Sequence, residues 1–226
     1  MKIITGASRG IGKYLFEKFQ SQGEVVYGTF LTTEPDPKNS ELIAKVDISN
    51  HAEVVKWVNS IKFEEKIELI NCAATNYNAF AHKADPVKWK NTIEVNLVGT
   101  FNVINAILPE MRKNNYGRII NFSSVVAKMG VAGTSAYAAS KAALWGLSKS
   151  IAVENASKGI TINSLNLGYF DIGMISDVPA EIQEKIKEKI PANCFGDPIN
   201  IYNAVNFIIS SDYINGESVN INGCII

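Results

Sequence analysis

Short runs that are apolar at nearly every position alternate along this chain with stretches of helical period. The runs are Lys2–Thr5, Val25–Phe30, Leu42–Val46, Ile67–Asn71, Arg118–Phe122, Thr161–Leu165 and Ser218–Ile221. A strand with one wet face alternates polar and apolar residues, so strands without that alternation belong to a sheet covered on both faces. Helices lying between such strands supply the cover and impose parallel pairing through crossovers. The sequence therefore predicts the α/β class, as a single doubly wound parallel sheet with helices on both faces.

The helical stretches carry their own signals. Ile11, Leu15 and Phe19 recur at the spacing that puts them on one helix face. Asn50 followed by Glu53 reads as a capping box that opens a helix over His51–Ser60. A helix can begin at Pro86 and run to about Lys113, and another spans Ser135–Ser157 between Gly133 and Gly159. No linker or repeat interrupts this pattern, and one core can organise roughly 250 residues. Residues 1–226 are thus expected to form a single dinucleotide-binding catalytic domain, for the reasons that follow.

Composition removes several classes of function. Lys plus Arg is 22 and Asp plus Glu is 22, so there is no electrostatic case for nucleic acid or an anionic membrane surface as partner. His51 and His82 are the only histidines, which argues against a metal site. Cys72, Cys194 and Cys224 form no CxxC pair and suit a reducing compartment. The N-terminus lacks the apolar core of a signal peptide, and no run approaches the roughly 18 apolar residues of a membrane span. A cytoplasmic protein is expected.

Chemistry concentrates in two places. The first is Thr5-Gly6-Ala7-Ser8-Arg9-Gly10-Ile11-Gly12, at the junction of the first strand and the first helix. Glycine takes positive φ freely and lets a ligand approach the backbone. The following helix N-terminus offers free N–H groups and a positive dipole end, a seat for a pyrophosphate. A phosphate-binding P-loop is excluded, because Ala7 stands where its first glycine should be and Tyr14 replaces its Ser/Thr.

The second place is Tyr137 and Lys141, four residues apart and so on one helix face. A phenol titrates near 10, too high for a base at neutral pH. A lysine cation about 4 Å away would contribute roughly 4 kcal/mol, about three units, and bring the phenol to about 7.

TGASRGIG together with the Tyr-x-x-x-Lys pair resembles the classical short-chain dehydrogenases/reductases, and the likeness extends from Thr5 to about Gly223. It is strongest towards the 3-oxoacyl-[acyl-carrier-protein] reductases, through GRIINFSSVV, SAYAASKAAL and GITINSL. The resemblance implies a Rossmann-type fold and reversible hydride transfer between a nicotinamide dinucleotide and a carbonyl or secondary alcohol. It places Ser124 on the substrate carbonyl, Tyr137 as proton donor, Lys141 against the nicotinamide ribose and Asn96 in the proton relay. Gly6, Gly10 and Gly12 would shape the cofactor turn, with Ser8, Arg9 and Ile11 near the diphosphate and adenosine ribose. Asp47 and Ile48 would flank the adenine, and Asn71 and Ala73 the ribose. Gly168 and Phe170 would border the nicotinamide, with a substrate lid over about 171–195.

The sequence departs from the pattern at Cys72 and Ala74 in Asn71-Cys72-Ala73-Ala74, at Leu167 in place of a proline and at Ile172 in place of a threonine. An acid at the end of the second strand would bond the 2′-OH of NAD and repel the 2′-phosphate of NADP. Here none occurs before Glu34, while Arg9 is a cation and Thr29 or Thr32 could donate, so NADP is favoured over NAD. Short 3-oxoacyl thioesters lead the substrate classes. A sugar or other small-alcohol dehydrogenase, and a dinucleotide-binding regulatory protein without turnover, are the alternatives. Acyl-carrier protein is a possible partner through Arg112, Lys113 and Lys158. A homotetramer or dimer is expected through the two long helices, where Phe101, Ile104, Leu108 and Trp145 offer either contact area or core.

Overall fold

All seven apolar runs become strands, and they pair in parallel into one sheet of order β3-β2-β1-β4-β5-β6-β7. The computed structural model describes residues 1–226. The strands are β1 (Lys2–Thr5), β2 (Val26–Phe30), β3 (Ile43–Lys45), β4 (Glu68–Asn71), β5 (Gly117–Ser124), β6 (Ile160–Leu167) and β7 (Ser218–Ile221). Between them run α1 (Gly10–Ser21), α2 (His51–Val58), α3 (Pro86–Ile93), α4 (Thr100–Asn114), α5 (Val126–Met129), α6 (Ser135–Asn155), α7 (Ala180–Lys187) and α8 (Pro198–Ser210).

Successive strand residues point to opposite faces, and both faces are buried, which explains the uniformly apolar runs. Ile3, Leu69, Ile119 and Ile162 pack with Ile104 and Ile107 on one side. Ile4, Ile70, Ile120 and Leu165 pack with Leu15, Phe16 and Phe19 of α1 and Ile201 and Val205 of α8 on the other. The sheet grows outward from β1 in both directions, so crossovers leave β1 and β4 towards opposite faces. That reversal opens a crevice at the carboxyl ends of β1 and β4, where ligands of such sheets bind.

Three sequence expectations are corrected. The stretch from Pro86 to Lys113 is not one regular helix, because a π-helical turn at Glu94–Gly99 separates α3 from α4. Its cause is local: buried Asn96 turns its amide onto the loop after β4, and the wide turn accommodates it. Strands β5 and β6 extend beyond the runs read from sequence, so Ser124 ends β5, paired with Leu167. Helix α8 was not expected, although Asp197 before Pro198 carries the signal: the Asp197 carboxylate accepts the Ile199 N–H at 2.8 Å.

Candidate active site

The glycine turn is a backbone cradle with no room for side chains. A Cβ on Gly12 would lie 2.2 Å from the Gly6 carbonyl oxygen, and one on Gly6 would lie 2.9 Å from the Ala73 Cα. Gly6 also takes a φ of 69°, which a side chain would strain. Helix α1 has neither a side-chain cap nor an acid in its first turn, so its leading N–H groups and dipole face the crevice uncompensated. A close backbone approach beside an uncapped helix start fits the diphosphate of a nicotinamide dinucleotide.

Neighbouring strand ends brace this cradle. The Thr5 hydroxyl oxygen accepts both the Cys72 and Ala73 N–H groups at 3.1 Å, tying the end of β1 to the end of β4. Thr29 is only 1% exposed, and its hydroxyl accepts the Gly6 N–H at 3.4 Å. That hydroxyl therefore serves the turn and does not point outward to a ribose phosphate. Arg9 and Thr32 are the exposed residues on that side, with Ser8 buried and Ile11 half-buried. Asp47 holds Ser49 through two hydrogen bonds to one carboxylate oxygen, at 2.9 and 2.7 Å. Ile48 is buried, and its carbonyl accepts from Asn102 at 3.0 Å. Gly10 lies against Gly173, so the turn touches the start of the expected lid.

The structure brings Asn96, Ser124, Tyr137 and Lys141 together at the carboxyl edge of β4, β5 and β6. Helix α6 carries Tyr137 and Lys141, and β5 hooks onto it where the Ser123 hydroxyl donates to the Lys141 carbonyl at 2.9 Å. Ser124 stands beside the Tyr137 phenol, and its hydroxyl accepts the Val126 N–H at 3.2 Å. The Asn96 carboxamide accepts from Thr75 N at 2.8 Å and donates to Thr75 O at 2.9 Å and to the Ser140 hydroxyl at 3.0 Å. It thus staples the loop after β4 to the residue preceding Lys141. Asn71 donates its amide to Asn121 at 2.9 Å, while its own oxygen is buried without a partner.

Electrostatics differ from the expectation of a phenol near neutrality. Burial pushes the Tyr137 phenol up to about 12; the adjacent Ser124 hydroxyl pulls the other way and Tyr169 pushes it higher still. The Lys141 ammonium lies 5.7 Å from the Tyr137 ring centroid and donates to the Phe122 carbonyl at 2.7 Å. Burial also lowers Lys141 to about 8. Desolvation dominates both shifts because both groups sit inside the protein. Cys72, one of the departures from the expected pattern, is half-buried, and its thiol is pushed upward by desolvation while the Lys141 charge pulls the other way.

Beyond β6 the outcome is mixed. The Gly168 N–H donates to the Ile221 carbonyl at 2.8 Å, locking β6 to β7. Phe170 is buried with its ring against Gly196. Tyr169, which sequence reasoning passed over, pushes the Tyr137 phenol upward and lies 6.5 Å from the Phe195 ring. Of the Ile182, Ile186 and Ile190 stripe, Ile190 is buried and Ile182 is exposed. Ile104 belongs to the core, whereas Phe101 is exposed.

Arg112, Lys113 and Lys158 lie at the opposite edge of the sheet from the site. Helices α4 and α6 run back along the strands, and Lys158 precedes the start of β6 while Arg112 bonds Asn155 at the end of α6. Within one chain these residues do not line the cleft mouth. No helix is long and apolar enough to cross a membrane, and no cluster of three potential metal ligands occurs.

A doubly wound parallel sheet, a glycine cradle at its switch point and a Ser–Tyr–Lys set beside that cradle define a nicotinamide-dependent oxidoreductase. The chain belongs to the short chain dehydrogenase family, whose model matches residues 1–183. It is 32% identical to the 3-oxoacyl-[acyl-carrier-protein] reductase FabG of Aquifex aeolicus, over 99% of this chain and 96% of that protein. The same reductase of Escherichia coli is 33% identical over 98% of this chain and 95% of its own. The acetoacetyl-CoA reductase of Rhizobium meliloti is 32% identical over 98% and 96%.

Proposed function

We propose that the protein is an NADPH-dependent reductase of short 3-oxoacyl thioesters, with Ser124, Tyr137, Lys141 and Asn96 as its working residues. The observation that carries this reading is the buried phenol of Tyr137 beside the Ser124 hydroxyl, at the same sheet edge as the glycine cradle. Both classes of relative named above act on 3-oxoacyl thioesters by their names, which supports the substrate class. Acyl-carrier protein or coenzyme A would carry the acyl group.

A nicotinamide dinucleotide held at the glycine cradle would supply the hydride for the carbonyl carbon. Ser124 donates a hydrogen bond to the carbonyl oxygen and orients it. Tyr137 gives that oxygen its proton as negative charge develops, so the product leaves as a secondary alcohol. A phenol at about 12 is fully protonated at neutral pH, which suits an acid for reduction. Lys141 stabilises the resulting phenolate and feeds the proton back, and Asn96 holds the loop against the lysine. Arg9, with no acid at the end of β2, favours the 2′-phosphate of NADPH. A homotetramer or dimer through α4 and α6 would cover exposed Phe101 and Val153.

The test is consumption of NADPH with the N-acetylcysteamine thioester of acetoacetate, beside Tyr137→Phe. Turnover that falls by roughly a thousandfold on loss of the hydroxyl supports the reading. Absence of turnover in the unmodified protein, with NADPH bound, overturns it.

A further inference from the structure

The sheet face beneath α6 changes character along its length. Where β5 and β6 begin it is apolar, and Ile119 and Ile162 join Ile151 and Ala152 of the helix in one core. Towards the carboxyl edge it turns polar. The next two pairs on that face are Asn121 with Ser164 and Ser123 with Asn166, and none of the four is more than 3% exposed. The opposite face stays apolar to the same edge, through Ile120, Phe122, Leu165 and Leu167. The buried polar groups are therefore confined to one side of the sheet, under the half of α6 that carries Tyr137 and Lys141.

Helix α6 meets that patch with polar groups at helical spacing. Ser140, Lys141, Leu144 and Ser148 share its buried face. The Asn121 amide donates to the Ser148 hydroxyl at 3.1 Å, and that hydroxyl shares a hydrogen bond of 3.1 Å with Ser164. The Trp145 indole N–H donates to the Asn166 carboxamide oxygen at 2.8 Å, and the Asn166 amide continues to Asn220 of β7 at 2.9 Å. With the bond from Ser123 to the Lys141 carbonyl, three successive turns of the helix are tied to β5 and β6. Apolar contact is non-directional and tolerates repacking, whereas a satisfied buried polar network admits one arrangement.

We propose that Ser148 and Asn166 are positioning residues that seat α6 on the sheet, fixing the rotation and axial placement of the helix and so the places of Tyr137 and Lys141. The proposal rests on the reading above only in taking those two as the working pair. A shift of the helix by a fraction of a turn would move both groups together relative to Ser124, which β5 holds independently.

Three variants test it. Asn166→Leu removes the bonds to Trp145 and Asn220, and Ser148→Ala removes the hydroxyl between Asn121 and Ser164. Asn155→Leu is the control: Asn155 is as deeply buried on the same helix and bonds Arg112 and the Ile151 carbonyl, but at the end away from the site. In both seat variants kcat for the acetoacetyl N-acetylcysteamine thioester falls about tenfold, while KM and the dissociation constant of NADPH stay within about twofold. Asn155→Leu loses comparable stability in urea with kcat unchanged. A purely structural role would make all three variants alike. That result, or an unchanged kcat in the seat variants, overturns the proposal, and if one seat variant fails to fold the other decides.

A readout without turnover is the side-chain nitrogen resonance of Lys141 in isotope-labelled protein, which titrates at about 8 in the parent. A loosened seat admits water to the ammonium, so the midpoint climbs towards 10.5 in both seat variants and does not move in Asn155→Leu. A midpoint that remains at about 8 in the seat variants overturns the positioning role. A midpoint that climbs in a protein that reduces no carbonyl would sink the reductase reading and leave the seat standing.

Discussion

The Lys141 ammonium donates to the main-chain carbonyl of Phe122 at 2.7 Å, so the cation is anchored to the strand that carries Ser124 and not to the phenol of Tyr137. It sits 5.7 Å from the Tyr137 ring centroid, inside the protein. The charge is held in place by the backbone, and burial makes it easy to lose.

The pH dependence follows from that position. Lys141 is lowered to about 8 and Tyr137 raised to about 12, so between those values the phenol keeps its proton while the lysine loses its charge. Reduction is expected to be level from pH 6 to 7 and to decline as pH rises through about 8. A profile of kcat/KM that stays flat beyond pH 9.5 would refute this assignment of the limb.

Stability has the opposite dependence. A lysine whose folded value lies below its unfolded value of 10.5 costs stability wherever it is charged, and the cost fades as pH rises from about 8 to 10.5. Lys141→Met removes that cost at pH 7, worth roughly 3 kcal/mol, and abolishes activity. Urea unfolding should show the variant more stable at pH 7 and the gap closing above pH 10.5. A variant less stable than the parent at pH 7 would mean that the hydrogen bond to Phe122 dominates.

Gly12→Ala and Gly146→Ala separate the cradle from ordinary helix glycine. The first puts a methyl 2.2 Å from the Gly6 carbonyl oxygen, while the second meets nothing within 4 Å. Loss of NADPH binding, followed by fluorescence, is expected for Gly12→Ala alone. Gly146→Ala should gain about 0.5–1 kcal/mol from better helix propensity. Unimpaired binding in Gly12→Ala would contradict the cradle.

Asn96→Ala leaves the Thr75 N–H, the Thr75 carbonyl and the Ser140 hydroxyl without their shared partner inside the protein. A cost of roughly 2–4 kcal/mol is expected in chemical denaturation, along with a fall in kcat larger than any change in KM. A variant with unaltered kcat would remove Asn96 from the working set.

Arg9→Ala should weaken NADPH about tenfold and leave NADH nearly unchanged, because the exposed guanidinium acts on the extra phosphate alone. Titration of both cofactors decides it, and equal weakening would assign Arg9 to the shared diphosphate.

Much of this protein follows from local pattern in the chain. The uniformly apolar runs, the crossover helices and the Gly6–Gly12 turn depend on properties of a few consecutive residues, and the four-residue step from Tyr137 to Lys141 is a property of any helix. Helix α8 (Pro198–Ser210) has its cap signal, Asp197 before Pro198, in the sequence itself. Thr29, read as an outward donor, turned inward because strand parity decides its face, and parity is set by pairing with β1 and β3.

What only the tertiary structure decided depends on residues far apart in the chain. The spacing of Tyr137 and Lys141 predicts attraction between them, yet burial beneath β5, β6 and Tyr169 sends the phenol up and the lysine down. The staple from Asn96 to Thr75 and Ser140, and the polar seat of α6 on Asn121, Ser123, Ser164 and Asn166, appear only once separate strands meet. Sequence determines which groups are present and which share a helix face. Solvation determines their proton affinities, and it is a property of everything packed around them.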